Sequence, residues 1–348
     1  MTKKILSIVL IVVIVALVGI LIWGTVFNSA ANPNFGISCG GNIYMPFNIE
    51  GGRLSADAQS GLGYEVPAGE INSIDMNFRQ ENIEVKTWDG DTVKIEQTSS
   101  QALSDADIMR FGIIDRTLVV ESGRLGEINV GIVPGSRIEV SIPKDMQLSG
   151  DYDTSSGWVS VNGGGYSSLS VDTASGEAQV LGVKAEIMKL DTASGRVTAK
   201  DIETDVCDVN TASGEIVVEG ICRREFVADT ASGGVEFAGT AEVVEIDTAS
   251  GSIKVSVSGL RTFDADAASG KVTLHCLDAE NLQAVGIDTA SGEVRIGLPE
   301  NDGFTLDFDS MSGDLKNSDF AMYGDQHGDG RIDIDVDTVS GGVVIEKI

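Results

Sequence analysis

The sequence predicts an all-β fold, a single-stranded parallel β-helix (β-solenoid) of about 19 residues per coil, preceded by one N-terminal transmembrane helix. Three observations predict it. A Ser-Gly dipeptide closes at Gly157, Gly176, Gly195, Gly214, Gly233, Gly251, Gly270, Gly292, Gly313 and Gly341, at intervals of 19, 19, 19, 19, 18, 19, 22, 21 and 28 residues. Apolar residues fall on alternate positions around each glycine, the signature of strands with one buried face. An uncharged run of about 23 residues, Ile5 to Phe27, precedes everything else.

That run exceeds the roughly 20 residues a helix needs to cross a bilayer. Lys3 and Lys4 precede it and no basic cluster closely follows, which keeps the N-terminus in the cytoplasm and sends the rest outside. Trp23 stands near the outer end, where an indole suits the interface. The alternative is a cleaved signal with a small-x-small site at Ser29 and Ala31, although signal cores run to about 7–15 residues. Residues 1–28 are therefore read as cytoplasmic tip and anchor. The Gly/Asn/Ser-rich stretch 29–65, with Pro33 and Pro46, reads as a linker.

Residues 66–150 carry β patterns such as "NIEVKTWDGDTVKIEQ" and "RIEVSIP" but no Ser-Gly phrase. A solenoid needs atypical end pieces, and this segment is the expected N-terminal cap. Residues 151–348 form the solenoid proper. Seven residues before the glycine stand Leu169, Met188, Cys207 and Phe226; five before stand Val171, Leu190 and Val209; two after stand Val159, Ala178, Val197 and Ile216. Each repeat thus holds two short strands with the phrase at the bend. Nineteen residues is too short for a βαβ unit, which needs about thirty, and no helical periodicity appears. A single coil cannot bury its own apolar face, so coils must stack.

Glycine at the phrase implies a bend or a close backbone approach. Four positions earlier stands Asp in nine copies and Asn210 in the other. Both offer a side-chain oxygen to backbone N–H groups two or three residues on. Asp172, Asp191, Asn210, Asp229 and Asp247, with Gly176, Gly195, Gly214, Gly233 and Gly251, are accordingly expected as turn residues. In register, the aspartates would also line one edge about 4.8 Å apart. Each adjacent pair then repels by roughly 1 kcal/mol in water and 3–4 kcal/mol at an effective dielectric of 20. Bound calcium would relieve this, and Asp229, Asp247, Asp266 and Asp288 are the candidate ladder for it. No other cofactor is expected.

The balance of 53 Asp+Glu against 24 Lys+Arg gives a net charge of −29. It excludes nucleic acid as a partner, keeps an exported protein soluble, and suits cations or basic peptides. Of the four cysteines, Cys207 and Cys276 take inward slots, Cys222 lies near a coil junction, and Cys39 sits in "GISCGG". His275 and His327 join no nucleophile, so no enzyme is expected.

The "DTASGxVxV" repeats, the lead-in "NIEVKTWDGDTVKIE" and the closing "IDVDTVSGGVVIEKI" resemble the bacterial putative-adhesin β-strand-repeat proteins. The resemblance covers residues 66–348. It implies a right-handed parallel β-helix, exported or membrane-anchored, in a family partly linked to envelope stress, and it carries over no catalytic residue. The expected protein is a single-pass cell-membrane protein with its C-terminal domain extracytoplasmic. Its expected role is non-catalytic, adhesin-like binding of an unidentified surface ligand. The alternative role is an envelope-stress accessory that takes cationic peptides or cations on its acidic ladders.

Overall fold

A computed structural model describes residues 53–55, 58–123, 135–317 and 319–348. The expected anchor at Ile5–Phe27 and most of the linker lie outside the described residues. Among the described residues no helix is long and apolar enough to cross a membrane. The described residues are all-β, with two single-turn 3₁₀ segments at Ala68–Glu70 and Asp105–Asp107. It divides into two compact units, one ending at Thr198 and one running from Ala199 to Ile348.

In the first unit, the strands before each bend pair in parallel. Tyr152 lies beside Val171 and Val171 beside Leu190, so matching positions of Gln147–Thr154, Gly165–Thr173 and Lys184–Thr192 stand in register. The strands after the bend do likewise, with Val159 beside Ala178 and Val161 beside Val180. Alternation puts the apolar partners inside, where Tyr152, Leu169, Val171, Leu190, Val159 and Val180 are all fully buried.

The phrase-free lead-in enters the same two files. Ser73–Phe78 pairs in parallel with residues 149–154, and Asn82–Trp88 pairs in parallel with Val159–Asn162. One layer further out, Thr117–Glu121 lies parallel to Ser73–Phe78 and Arg137–Pro143 parallel to Asn82–Trp88. Spatial order therefore departs from chain order, because the first coil of the chain lies between the second and third. The outer layer is closed by antiparallel strands: Arg110–Ile114 on Thr117–Glu121, and Thr92–Thr98 on Arg137–Pro143. Antiparallel closure ends the ladder without leaving a bare parallel edge.

In the second unit, Ile216–Thr230 and Val235–Thr248 each run continuously from one bend to the next. Phe226 and Phe237 meet across the core of one coil, their rings stacked at 4.3 Å. The stack proceeds in parallel through Thr262–Ser269 to Ala284–Ser291. There the order breaks: Ala284–Ser291 pairs with Ile332–Thr338, and Gly303–Ser310 pairs with the far side of Ile332–Thr338. The final repeat of the sequence is inserted beneath the penultimate one. The long intervals of 21 and 28 residues supply the chain for that excursion.

The bends show why glycine is fixed. A Cβ on Gly176 would lie 1.7 Å from the Gly157 carbonyl oxygen, and one on Gly233 1.7 Å from that of Gly214. Close coil-to-coil approach is the requirement, since neither glycine has a left-handed φ. Aspartate is not the cap that its spacing suggested. The glycine N–H donates to the hydroxyl three residues back: Gly176 to Thr173 Oγ1 at 2.9 Å, Gly195 to Thr192 at 2.9 Å, Gly214 to Thr211 at 2.8 Å, Gly233 to Thr230 at 2.9 Å and Gly251 to Thr248 at 2.9 Å. Thr173 in turn donates to the Gly157 carbonyl at 3.1 Å, so one hydroxyl both closes its own bend and ties it to the coil beneath. Strand parity turns threonine inward and the preceding aspartate outward.

Candidate functional site

Turning the aspartates outward makes a face of them. In the second unit, pairing places Asp229 beside Asp247, Asp247 beside Asp266, Asp266 beside Asp288, Asp288 beside Asp337, and Asp337 beside Asp309. The four residues expected as a calcium ladder, Asp229, Asp247, Asp266 and Asp288, thus stand in single file within a longer column. A second column runs two residues earlier on the same face, through Glu245, Asp264, Gly286, Asp335 and Asp307. This second file follows from the same period-2 parity as the first, but its composition is less uniform, with Val227 and Gly286 interrupting it. Asn210 is the neutral member of its slot and donates to Asp208 Oδ1 at 3.0 Å.

Partial burial and neighbouring carboxylates raise the proton affinity of Asp247, Asp266 and Asp288. Asp247 is pushed up to about 6, first by burial and then by Asp229. Asp266 is pushed to about 6 by burial and Asp247, and Asp288 to about 6 by burial and Asp266. Such shifts are expected when like charges share a half-buried surface.

The outward face beyond the bend differs. There acids meet bases across coils: Lys254 with Glu236 at 2.6 Å, Lys271 with Glu293 at 3.1 Å and Arg295 with Glu346 at 3.0 Å. The aspartate columns of the second unit, by contrast, carry no base in register.

In the first unit the corresponding slots bring three carboxylates together. Asp151, Asp153 and Asp172 bring one carboxylate oxygen each within 4.8 Å of one another. Asp172 also lies beside Asp191. Burial pushes Asp153 to about 9, with Asp151 and Asp172 adding to the shift, and Asp172 to about 7, where Asp191 adds. Oδ1 of Asp153 and Oδ1 of Asp172 are buried and receive no hydrogen bond among the described residues. Arg53 pairs with Asp75, the register neighbour of Asp151, and is the nearby counter-charge. The donor set is all carboxylate, the chemistry that hard cations such as calcium select.

No catalytic constellation accompanies these carboxylates among the described residues. Cys207, Cys222 and Cys276 are buried free thiols. The Cys276 thiol is pushed up to about 12 by burial and by Asp278. His275 is half-buried on the outward parity of its strand. His327 packs against Phe304 and Phe320, with Nδ1 2.8 Å from the Ala321 carbonyl.

No curated protein matches the chain. Among solved structures, a putative adhesin from Parabacteroides distasonis is 13% identical, with 83% of this chain and 98% of that chain covered at a TM-score of 0.36. A putative lipid binding protein from the same species is 13% identical, covering 82% and 96% at 0.34. A putative adhesin from Bacteroides fragilis is 10% identical, covering 82% and 96% at 0.34. Membership rests instead on sequence: the Toastrack DUF4097 family matches residues 71–285, from the coil at Ser73–Trp88 through the column at Asp229–Asp266. That match takes in more than half of the chain, and the chain belongs to the Toastrack DUF4097 family.

Proposed function

We propose that the chain is a non-catalytic binding protein of the cell surface. The helix at Ile5–Phe27 anchors it in the membrane and the β coils stand outside. Its binding surface is the acidic face before the bends, and its ligands are cationic: basic peptides along the columns, and calcium at Asp151, Asp153 and Asp172. One observation carries this reading. Six aspartates, Asp229 to Asp309, stack in register without an interleaved base. Stacked carboxylates repel one another, and a cation that binds the column offsets that repulsion.

The test is binding of a labelled oligolysine peptide to the full chain in nanodiscs of neutral lipid, at rising salt. Binding is expected at low salt and should weaken steeply by about 0.15–0.5 M, where screening lengths fall below 10 Å. Absence of binding at low salt, or binding indifferent to salt, would overturn the cationic reading.

A further inference from the structure

Among the described residues, the second unit ends on a coil whose outer edge is unpaired beyond Leu306. Gly303–Ser310 pairs on one side with Ile332–Thr338. On the other side the short antiparallel strand Gln326–Gly328 reaches only Gly303–Thr305. The Leu306 N–H is taken by the Asp325 carbonyl at 2.8 Å. In a strand, successive residues direct their backbone groups to opposite sides, so Phe308 and Ser310 present theirs on the same outer side as Leu306. Among the described residues no strand pairs with them there.

Side chains show the same bareness. Leu315 is 40% exposed, whereas its register partner Val343 is fully buried. Phe308 is half-buried, whereas its partner Val336 is fully buried. Met311 and Tyr323, near this edge in sequence, are 65% and 89% exposed. The opposite situation holds in the first unit, where antiparallel strands finish the ladder. An edge with free backbone groups and uncovered apolar slots is a template for another strand.

Charge selects the occupant. Asp309 and Asp307 are the last members of the two acidic columns, and both lie on this strand. A second copy of the same edge would set carboxylates against carboxylates about 5 Å apart. A segment alternating apolar and basic residues continues the buried slots and neutralises the columns at once. Resting on the cationic-ligand reading above, we propose that an extended peptide of alternating apolar and Lys/Arg residues adds as a further strand along Asp307–Ser310. Its apolar side chains cover Leu306 and Phe308, and its basic ones lie beside Asp307 and Asp309.

The experiment compares two labelled heptapeptides on the full chain in neutral-lipid nanodiscs. One is Val-Lys-Val-Lys-Val-Lys-Val, and the other is the same peptide N-methylated at alternate amides, which keeps its charge and removes its strand-pairing donors. The proposal expects the N-methylated peptide to bind at least about tenfold more weakly, because main-chain bonds supply the affinity in strand addition. The unmodified peptide should slow amide exchange at Phe308 and Ser310. Asp307→Asn with Asp309→Asn should weaken it about tenfold, and Asp229→Asn with Asp247→Asn less than about twofold. Equal binding of the two peptides, or greater weakening by the Asp229/Asp247 pair, would overturn the edge proposal and leave the cationic reading standing. Binding of neither heptapeptide, with oligolysine also inert, would overturn both.

Discussion

Burial beside other carboxylates pushes Asp153 up to about 9 and Asp172 up to about 7. Both are raised above the ordinary aspartate value of 3.8 that the unfolded chain retains. Between those limits the native state binds more protons than the unfolded state, so stability falls as pH rises. The midpoint of thermal unfolding should decline from about pH 4 towards about pH 9, and Asp153→Asn should flatten that decline and raise the midpoint at pH 8. A midpoint that climbs across this window, or an Asn variant that is less stable at pH 8, would contradict the assignment.

The neighbouring threonine makes a different prediction at the same scale. Thr230→Ala removes the acceptor of the Gly233 N–H and should cost about 1 kcal/mol, whereas Thr230→Ser should cost less. Gly233→Ala drives a Cβ to 1.7 Å from the Gly214 carbonyl oxygen and should cost about 4 kcal/mol or more. Chemical denaturation read by far-UV dichroism measures all three. The need for glycine was legible in the sequence because ten repeats show it at one slot. The choice of Thr over Asp as the cap was not, because both side chains carry an acceptor and sit one residue apart. Which of them faces the bend is decided by strand parity.

At the scale of the element, alternation named most strands correctly. It placed Phe226 inward, and the partner that fills the slot across the coil is Phe237. Phe237→Ala should cost about 3–5 kcal/mol through the cavity it leaves, and Phe237→Leu markedly less. Equal losses for the two variants would show that the ring is not packed as described. The lead-in coil was only half legible. "NIEVKTW" alternates as a strand should, but nothing in "FRQEN" resembles the phrase. The structure nonetheless puts the Glu81 carbonyl where a phrase glycine carbonyl would be, accepting from Thr154 Oγ1 at 3.0 Å. A main-chain carbonyl leaves no trace in sequence. The inverted order of the last two coils was hidden for a related reason. Phe308-Asp309 and Val336-Asp337 present the same pattern to a neighbour, so either strand satisfies Ala284–Ser291 locally. The path of the intervening chain makes the selection.

For the molecule as a whole, a net charge of −29 was plain from composition, but its placement was not. Outward parity concentrates acid before the bends, while Lys254, Lys271 and Arg295 neutralise the face after them. Cations and protons then compete for the same carboxylates. Millimolar calcium should therefore raise the unfolding midpoint more at pH 8 than at pH 5, and Asp172→Asn should reduce the rise. No calcium response at pH 8 would remove the cation site at Asp151, Asp153 and Asp172 while leaving the fold intact.

The central claim is that matching residues stack coil on coil, in the order the pairing gives rather than the order of the chain. Paired cysteine substitutions in the column of the second unit test it directly. Adjacent coils are about 4.8 Å apart and coils two layers apart about 10 Å, on either side of the roughly 7 Å limit for a disulfide between Cα atoms. Under oxidised glutathione, Asp288→Cys with Asp337→Cys should cross-link, and Asp288→Cys with Asp309→Cys should not. Cross-linking of the second pair and not the first would contradict the account.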